Sequence, residues 1–132
     1  MEYRYLAESS KYKVFSLADY VYLKNKANCK SHTEYEQSDE NIAWIYGEPD
    51  SAIITFDERY VVIAGCGISV YDIQLKETTY LFSEPDSIEW TEGVYLGEND
   101  EIFQVRFNAL TKTEKLVIKR LNLKSHNVDI LS

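Results

Sequence analysis

Hydrophobic and polar positions alternate through much of the second half of the chain. Phe103, Val105 and Phe107 are separated by Gln104 and Arg106, the period-two pattern of a strand with one buried and one wet face. Upstream, Ser51–Phe56, Arg59–Gly65, Gly67–Gln74 and Thr78–Phe82 are short runs rich in Ile, Val, Tyr and Phe, separated by turn chemistry. Asp57-Glu58 and Gly65-Cys66-Gly67 are short enough to close hairpins, the glycines supplying the positive φ that tight turns require. Gly93–Gly97, Glu101–Asn108, Lys115–Leu123 and Asn127–Leu131 form a second series of strands. Within Lys115–Leu123, Leu116 and Ile118 fall on one parity and Leu121 and Leu123 on the other. That slip predicts a bulge or strand end near Lys119-Arg120.

The two series resemble each other. Asp57, Tyr60 and Val62 recur 43 residues on as Asp100, Phe103 and Val105. Ile73 matches Leu123 at a spacing of 50, the extra length falling in the loop around Asn108–Glu114. A four-stranded unit of this size is close to the ~40–45 residues of a propeller blade. Val70-Tyr71-Asp72-Ile73 is similar to the Trp-Asp region of such blades. Two blades cannot close a propeller. The expected fold is therefore mainly β, with antiparallel sheets from two four-stranded blade-like meanders packed as a sandwich-like body with little helix.

The first half is less regular. Tyr12–Leu17 and Asn41–Gly47 read as strands, and Lys24–Glu40 reads as a long polar loop. Between them, Ser16-Leu17-Ala18-Asp19 fits a loose helix-capping box, while Tyr20 and Tyr22 argue equally for a strand. No Pro/Gly/Ser-rich linker divides the chain, so residues 1–132 read as a single β-rich domain.

Composition narrows the function. Hydrophobic residues at 45% and aromatics at 14% suffice for a core and exclude wholesale disorder. The net charge is −8, unevenly distributed: −3 over residues 1–50, −8 over 51–110 and +3 over 111–132. An acidic chain lacks the basic footprint that a phosphate backbone demands, so nucleic acid is not an expected partner. The C-terminal Lys112, Lys115, Lys119, Arg120 and Lys124 read instead as a solvated edge strand guarded by lysines. No apolar run is long enough for a membrane span. Met1–Glu8 has no apolar core of a secretory signal, so a cytoplasmic protein is expected.

Catalytic signatures are missing. Cys29 and Cys66 lie 37 residues apart and, with His32 and His126, lack zinc spacing. Cys66 between two glycines could be an exposed nucleophile, yet no base is near it in sequence to lower its pKa. Both thiols are expected to be reduced. Carboxylate pairs carry no specificity among 22 acids. Glu98-Asn99-Asp100-Glu101 lacks the calcium-loop pattern, and neither glycine-rich phosphate-binding motif occurs. No catalytic residue, metal or cofactor is expected.

What remains is surface charge. Between Glu84 and Glu101 lie Glu84, Asp86, Glu89, Glu92, Glu98, Asp100 and Glu101, with no Lys or Arg. Trp90 and Tyr95 fall in the same stretch. Acids steer a cationic partner and aromatics anchor it. The candidate partner-binding residues are thus Glu84, Asp86, Glu89, Trp90, Glu92, Tyr95, Glu98 and Asp100, with Glu34, Glu36, Asp39 and Glu40 as a second acidic cluster.

The acidic stretch, the blade-like Asp57–Phe82 meander and the short chain resemble the immunity proteins of bacterial polymorphic-toxin and contact-dependent growth inhibition systems, at the level of the class. The resemblance implies a non-catalytic inhibitor that binds a cognate toxin, often a basic nuclease, and covers its active site with acids standing in for phosphates. The alternatives are a β-rich protein- or ligand-binding module unrelated to toxins and a small carboxylate-dependent hydrolase.

Overall fold

The computed structural model describes residues 3–86, 88–110 and 115–131. These residues contain no helix, hence none long and apolar enough to cross a membrane. The chain forms three four-stranded antiparallel sheets, each a simple meander. Sheet A holds β1 (Tyr3–Glu8), β2 (Tyr12–Leu17), β3 (Tyr20–Asn25) and β4 (Glu40–Trp44). Sheet B holds β5 (Ser51–Ile54), β6 (Tyr60–Gly65), β7 (Gly67–Asp72) and β8 (Glu77–Leu81). Sheet C holds β9 (Trp90–Tyr95), β10 (Gln104–Leu110), β11 (Leu116–Asn122) and β12 (Val128–Ile130).

The all-β antiparallel expectation holds, and the two expected meanders are sheets B and C. The irregular first half adds a third sheet of the same kind. The ambiguous segment after Ser16 is strand β3, reached by a tight turn in which Ala18 takes a φ of +52°. Lys112 and Glu114 lie outside the described residues.

Sheet B is the middle layer. Val61 and Ile63 pack with Val14, Val21, Leu23 and Ile42 of sheet A, while Val62 and Ala64 pack with Val105, Phe107 and Leu121 of sheet C. A strand buried on both faces reads as a continuous apolar run, and Val61-Val62-Ile63-Ala64 is one. In sheet C, an outer layer, β10 keeps clean alternation, with Val105, Phe107 and Ala109 buried and Gln104, Arg106 and Asn108 facing outward.

Two expectations for sheet C need correction. β11 pairs with β10 in unbroken register from Leu116 to Asn122, so there is no bulge at Lys119-Arg120. Its inward residues are Val117, Lys119 and Leu121. Lys119 occupies a core position because its ammonium meets both Glu89 oxygens, at 2.7 and 2.9 Å, and lies over the Phe82 ring. A paired lysine disguised as a polar position produced the false phase slip. Phe103 does not join Val105 and Phe107 in the core; it precedes β10, half-buried beneath the Lys124 ammonium.

A shared turn marks the three sheets as repeats. Each third strand ends on a residue whose side-chain oxygen accepts backbone N–H groups just downstream. Asn25 accepts from Ala27, Asp72 from Gln74 and Leu75, and Asn122 from Lys124 and Ser125. The next residue donates back across the hairpin in all three: Lys26 to the Lys11 carbonyl, Ile73 to Arg59 and Leu123 to Phe103. Ile73 and Leu123 are thus equivalent as expected. Tyr60 pairs with Asp72 as Gln104 pairs with Asn122, so the counterpart of Tyr60 is Gln104, one residue beyond Phe103.

The outer face of sheet A is closed by the segment after β3. Lys24, with a fully buried side chain, meets Glu36 at 2.9 Å and Asp39 at 3.0 Å. Phe15 stacks between Tyr3 and Tyr22 on the same face. Glu36 also accepts the Lys30 and Ser31 amides, and together with Lys24 they hold its carboxyl at about 2. Lys24→Met should destabilise the fold by about 3 kcal/mol, at the lower end for a broken buried pair because Glu36 keeps some water contact. Denaturant melts at neutral pH check this. Because the Glu36 pKa is depressed on folding, its contribution is complete above the ordinary glutamate value near 4.5 and lost as pH falls through about 2. The gap between wild type and Glu36→Gln should close over that window.

Candidate functional site

Aromatic residues converge at the end of the molecule where the β6–β7 hairpin turns. Trp44 at the end of β4 and Tyr46 in the turn after it flank the buried Ile45, and both rings stay half-exposed. Tyr46 bridges to Trp90 at the start of β9, with ring centroids 6.1 Å from Trp44 and 6.2 Å from Trp90. Tyr80 projects from β8 toward β4, its hydroxyl accepting the Trp44 amide at 3.2 Å. Two residues earlier, the Thr78 hydroxyl donates to the Ile42 carbonyl at 2.6 Å. Side chains of β8 thus occupy the free backbone edge of β4.

Trp44, Tyr46 and Tyr80 wall a cleft of about 550 Å³ completed by Cys66, Ser83 and Ile88, with Trp90 reached through Tyr46. Its size and apolar lining suit ligand capture. Trp44, Tyr46, Tyr80 and Trp90 are all between 45% and 59% exposed, an unusual density of half-open large aromatics.

The floor is the hairpin apex Gly65-Cys66-Gly67. Both glycines have positive φ as expected, and a Cβ on Gly67 would come within 2.2 Å of the Leu81 carbonyl oxygen. Thr91 staples the apex: its hydroxyl accepts the Gly65 amide at 2.7 Å and donates to the Gly67 carbonyl at 2.5 Å. Burial pushes the Cys66 thiol above its ordinary value, the opposite of an activated nucleophile. Cys29 and Cys66 are both free thiols. Both histidines are on exposed turns.

One rim is formed by Ser83 and Ile88. Phe82 turns through a left-handed backbone, φ +57°, with its ring against Phe107 while the next residue, Ser83, lines the cleft. The Glu89 amide donates to the Phe82 carbonyl at 3.0 Å and closes the loop. Glu84 and Asp86 stand on it, both exposed. Ser87 lies outside the described residues.

The candidate acids divide into two sets. Glu84, Asp86, Glu92 and Glu98 are exposed, as are Trp90 and Tyr95. Glu89 and Asp100 are committed within the chain. Glu89 neutralises Lys119, and its carbonyl accepts the Gly67 amide at 2.7 Å. Asp100, with a side chain only 3% exposed, has its carboxyl lowered from the ordinary value, first by Arg106 at 2.7 and 2.9 Å and then by Arg120. A Cβ on Gly97 would lie 2.1 Å from that carboxylate. In the second cluster, Glu36 and Asp39 are occupied by Lys24, and Glu40 accepts the Tyr71 hydroxyl at 2.8 Å.

Trp44, Tyr46 and Tyr80 were not among the candidates. The Trp44-Ile45-Tyr46 spacing carried the signal that two aromatics face away from the core. The approach of Tyr80 depends on how sheets A and B stack, which no local pattern encodes. No family model, curated protein or solved structure matches this chain.

Thr91→Val keeps the shape but strands the Gly65 amide and the Gly67 carbonyl in a buried site. The expected cost is about 2 kcal/mol, measured by chemical unfolding, with Thr91→Ser restoring most of it.

Proposed function

We propose that this protein is a non-catalytic binding module that captures a basic protein partner at the aromatic end of the sheets. The observation that carries this is the juxtaposition of an open aromatic wall with a loop bearing only acids. Exposed aromatics supply large, stiff contact area, and the neighbouring carboxylates raise the encounter rate with a cation. Glu84, Asp86 and Glu92 are the steering acids in this reading, and Trp90 is an anchor. Glu89 and Asp100 support the surface from within.

The narrower form of the proposal is an immunity protein that acts in the cytoplasm and inhibits a cognate basic toxin, a nuclease by the logic of acids replacing phosphates. Its support is the class-level resemblance together with the net charge of −8.

Affinity capture from the native cell lysate should return a basic protein. With that partner purified, association should slow as salt rises past physiological strength, where the screening length is ~8 Å. Glu84→Lys with Asp86→Lys should lower the association rate by about tenfold at low salt, whereas Glu77→Lys should not. An acidic partner, or association indifferent to both salt and the loop reversal, would sink the proposal. Rescue of cells expressing the partner by co-expression of this chain separates the immunity form from simple binding.

A further inference from the structure

We infer that the aromatic cleft receives an arginine side chain of the partner, held by cation–π contact against Trp44 and Tyr46 and charge-balanced by the loop acids. The inference rests on the binding reading above and gives it a central contact.

The wall and the rim have complementary requirements that one occupant meets. An apolar cavity of about 550 Å³ walled by indole and phenol rings favours a flat, weakly hydrated group. The rim is anionic: Glu84 and Asp86 are exposed, and no Lys or Arg occurs from Glu84 through Val105 to neutralise them. A neutral aromatic or aliphatic group would use the rings but leave the rim unanswered. A lysine ammonium would answer the rim but keep its strongly held water beside an apolar wall. Guanidinium is planar, stacks on aromatic faces and sheds water more readily. The rings are also held by contacts within the chain. Tyr80 is tethered to the Trp44 amide at 3.2 Å, and Tyr46 is wedged between two indoles. Pre-positioned rings lose little freedom on binding.

Two basic side chains near the rim are already committed. Lys119, tied to the rim through Glu89, also lies over the Phe82 ring on the core side. Arg4 is bound to the Pro49 and Asp50 carbonyls. The lysines and arginines that do lie over rings are at Tyr3, Tyr5, Phe15, Tyr60, Phe82 and Phe103.

The chain carries its own reporter, since of its only two tryptophans Trp44 lines the cleft and Trp90 contacts the lining ring of Tyr46. The probe is a capped Ala-Arg-Ala peptide, compared with its citrulline twin, which has the same shape and no charge. Titration of the arginine peptide should change tryptophan emission saturably, and the citrulline peptide should bind about tenfold more weakly. Tyr46→Ala, and Trp44→Ala with Trp90 as reporter, should weaken the arginine peptide by about fivefold or more, while Trp44→Phe retains most binding. Thermal unfolding confirms that each half-exposed replacement leaves the fold intact. Equal binding of the two peptides would overturn the inference in favour of an uncharged apolar ligand. No saturable change up to ~10 mM would overturn it outright. The purified partner separates the two proposals. If loop charge reversal slows its association but Tyr46→Ala and Trp44→Ala leave its dissociation unchanged, the binding module stands and the arginine cleft falls. If neither set of variants matters, both fall.

Discussion

Burial of one sheet on both of its faces is the constraint that organises this protein. Sheet B has no wet side along β6 and much of β7, so it needs an apolar layer above and another below. Sheet C needs only one, and sheet A has its second face closed by the segment that carries Glu36 and Asp39. That difference explains why sheet B has unbroken apolar runs while β10 alternates. It also explains why the exceptions are paired: Lys119 could not enter the layer between B and C without Glu89, nor could Lys24 close sheet A without Glu36 and Asp39.

The same pairs redraw the electrostatic map. A linear reading finds an acidic middle and a basic end, as if these were separate surfaces. In three dimensions the basic end folds onto the acids: Lys119 onto Glu89, and Arg120 with Arg106 onto Asp100. The remaining exposed field is narrower than the composition implies. Glu84 and Asp86 stay exposed on a loop that follows the left-handed Phe82 and borders the aromatic cleft through Ser83 and Ile88. A non-glycine residue in that conformation is costly, and such cost is commonly retained where a segment must be aimed.

Most strands of sheets B and C were legible in the sequence, because hairpin turns and period-two apolar runs are local signals. Sheet A was only half legible. Its β2 and β4 stood out, but β1 carries Tyr3, Arg4, Tyr5 and Glu8 around a single buried Ala7, a pattern with little apolar contrast. β3 hid behind the buried Lys24, which reads as polar unless its partners are known. For the site, the exposed acids and Trp90 were visible, whereas Trp44, Tyr46 and Tyr80 required knowing how β4 meets β8. The roles of Glu89 and Asp100 were invisible for a general reason. A carboxylate that neutralises an arginine within the chain and one that awaits a partner have the same letter.

The meander topology has a consequence for how the molecule is made. Each sheet is one uninterrupted stretch of chain, and strand pairing involves only consecutive strands. Loops to be closed are therefore short, which favours rapid folding for an all-β protein. Synthesis from the N-terminus delivers sheet A first, with its outer face already closed by the Lys24 cluster. Sheet B then emerges with one face matched to sheet A and the other, carrying Val62, Ala64, Ile68 and Val70, uncovered until β10 and β11 follow. During that interval a nascent chain exposes the strip most prone to self-association, so the ribosome's pace over residues 90–123 sets how long the half-built protein stays sticky.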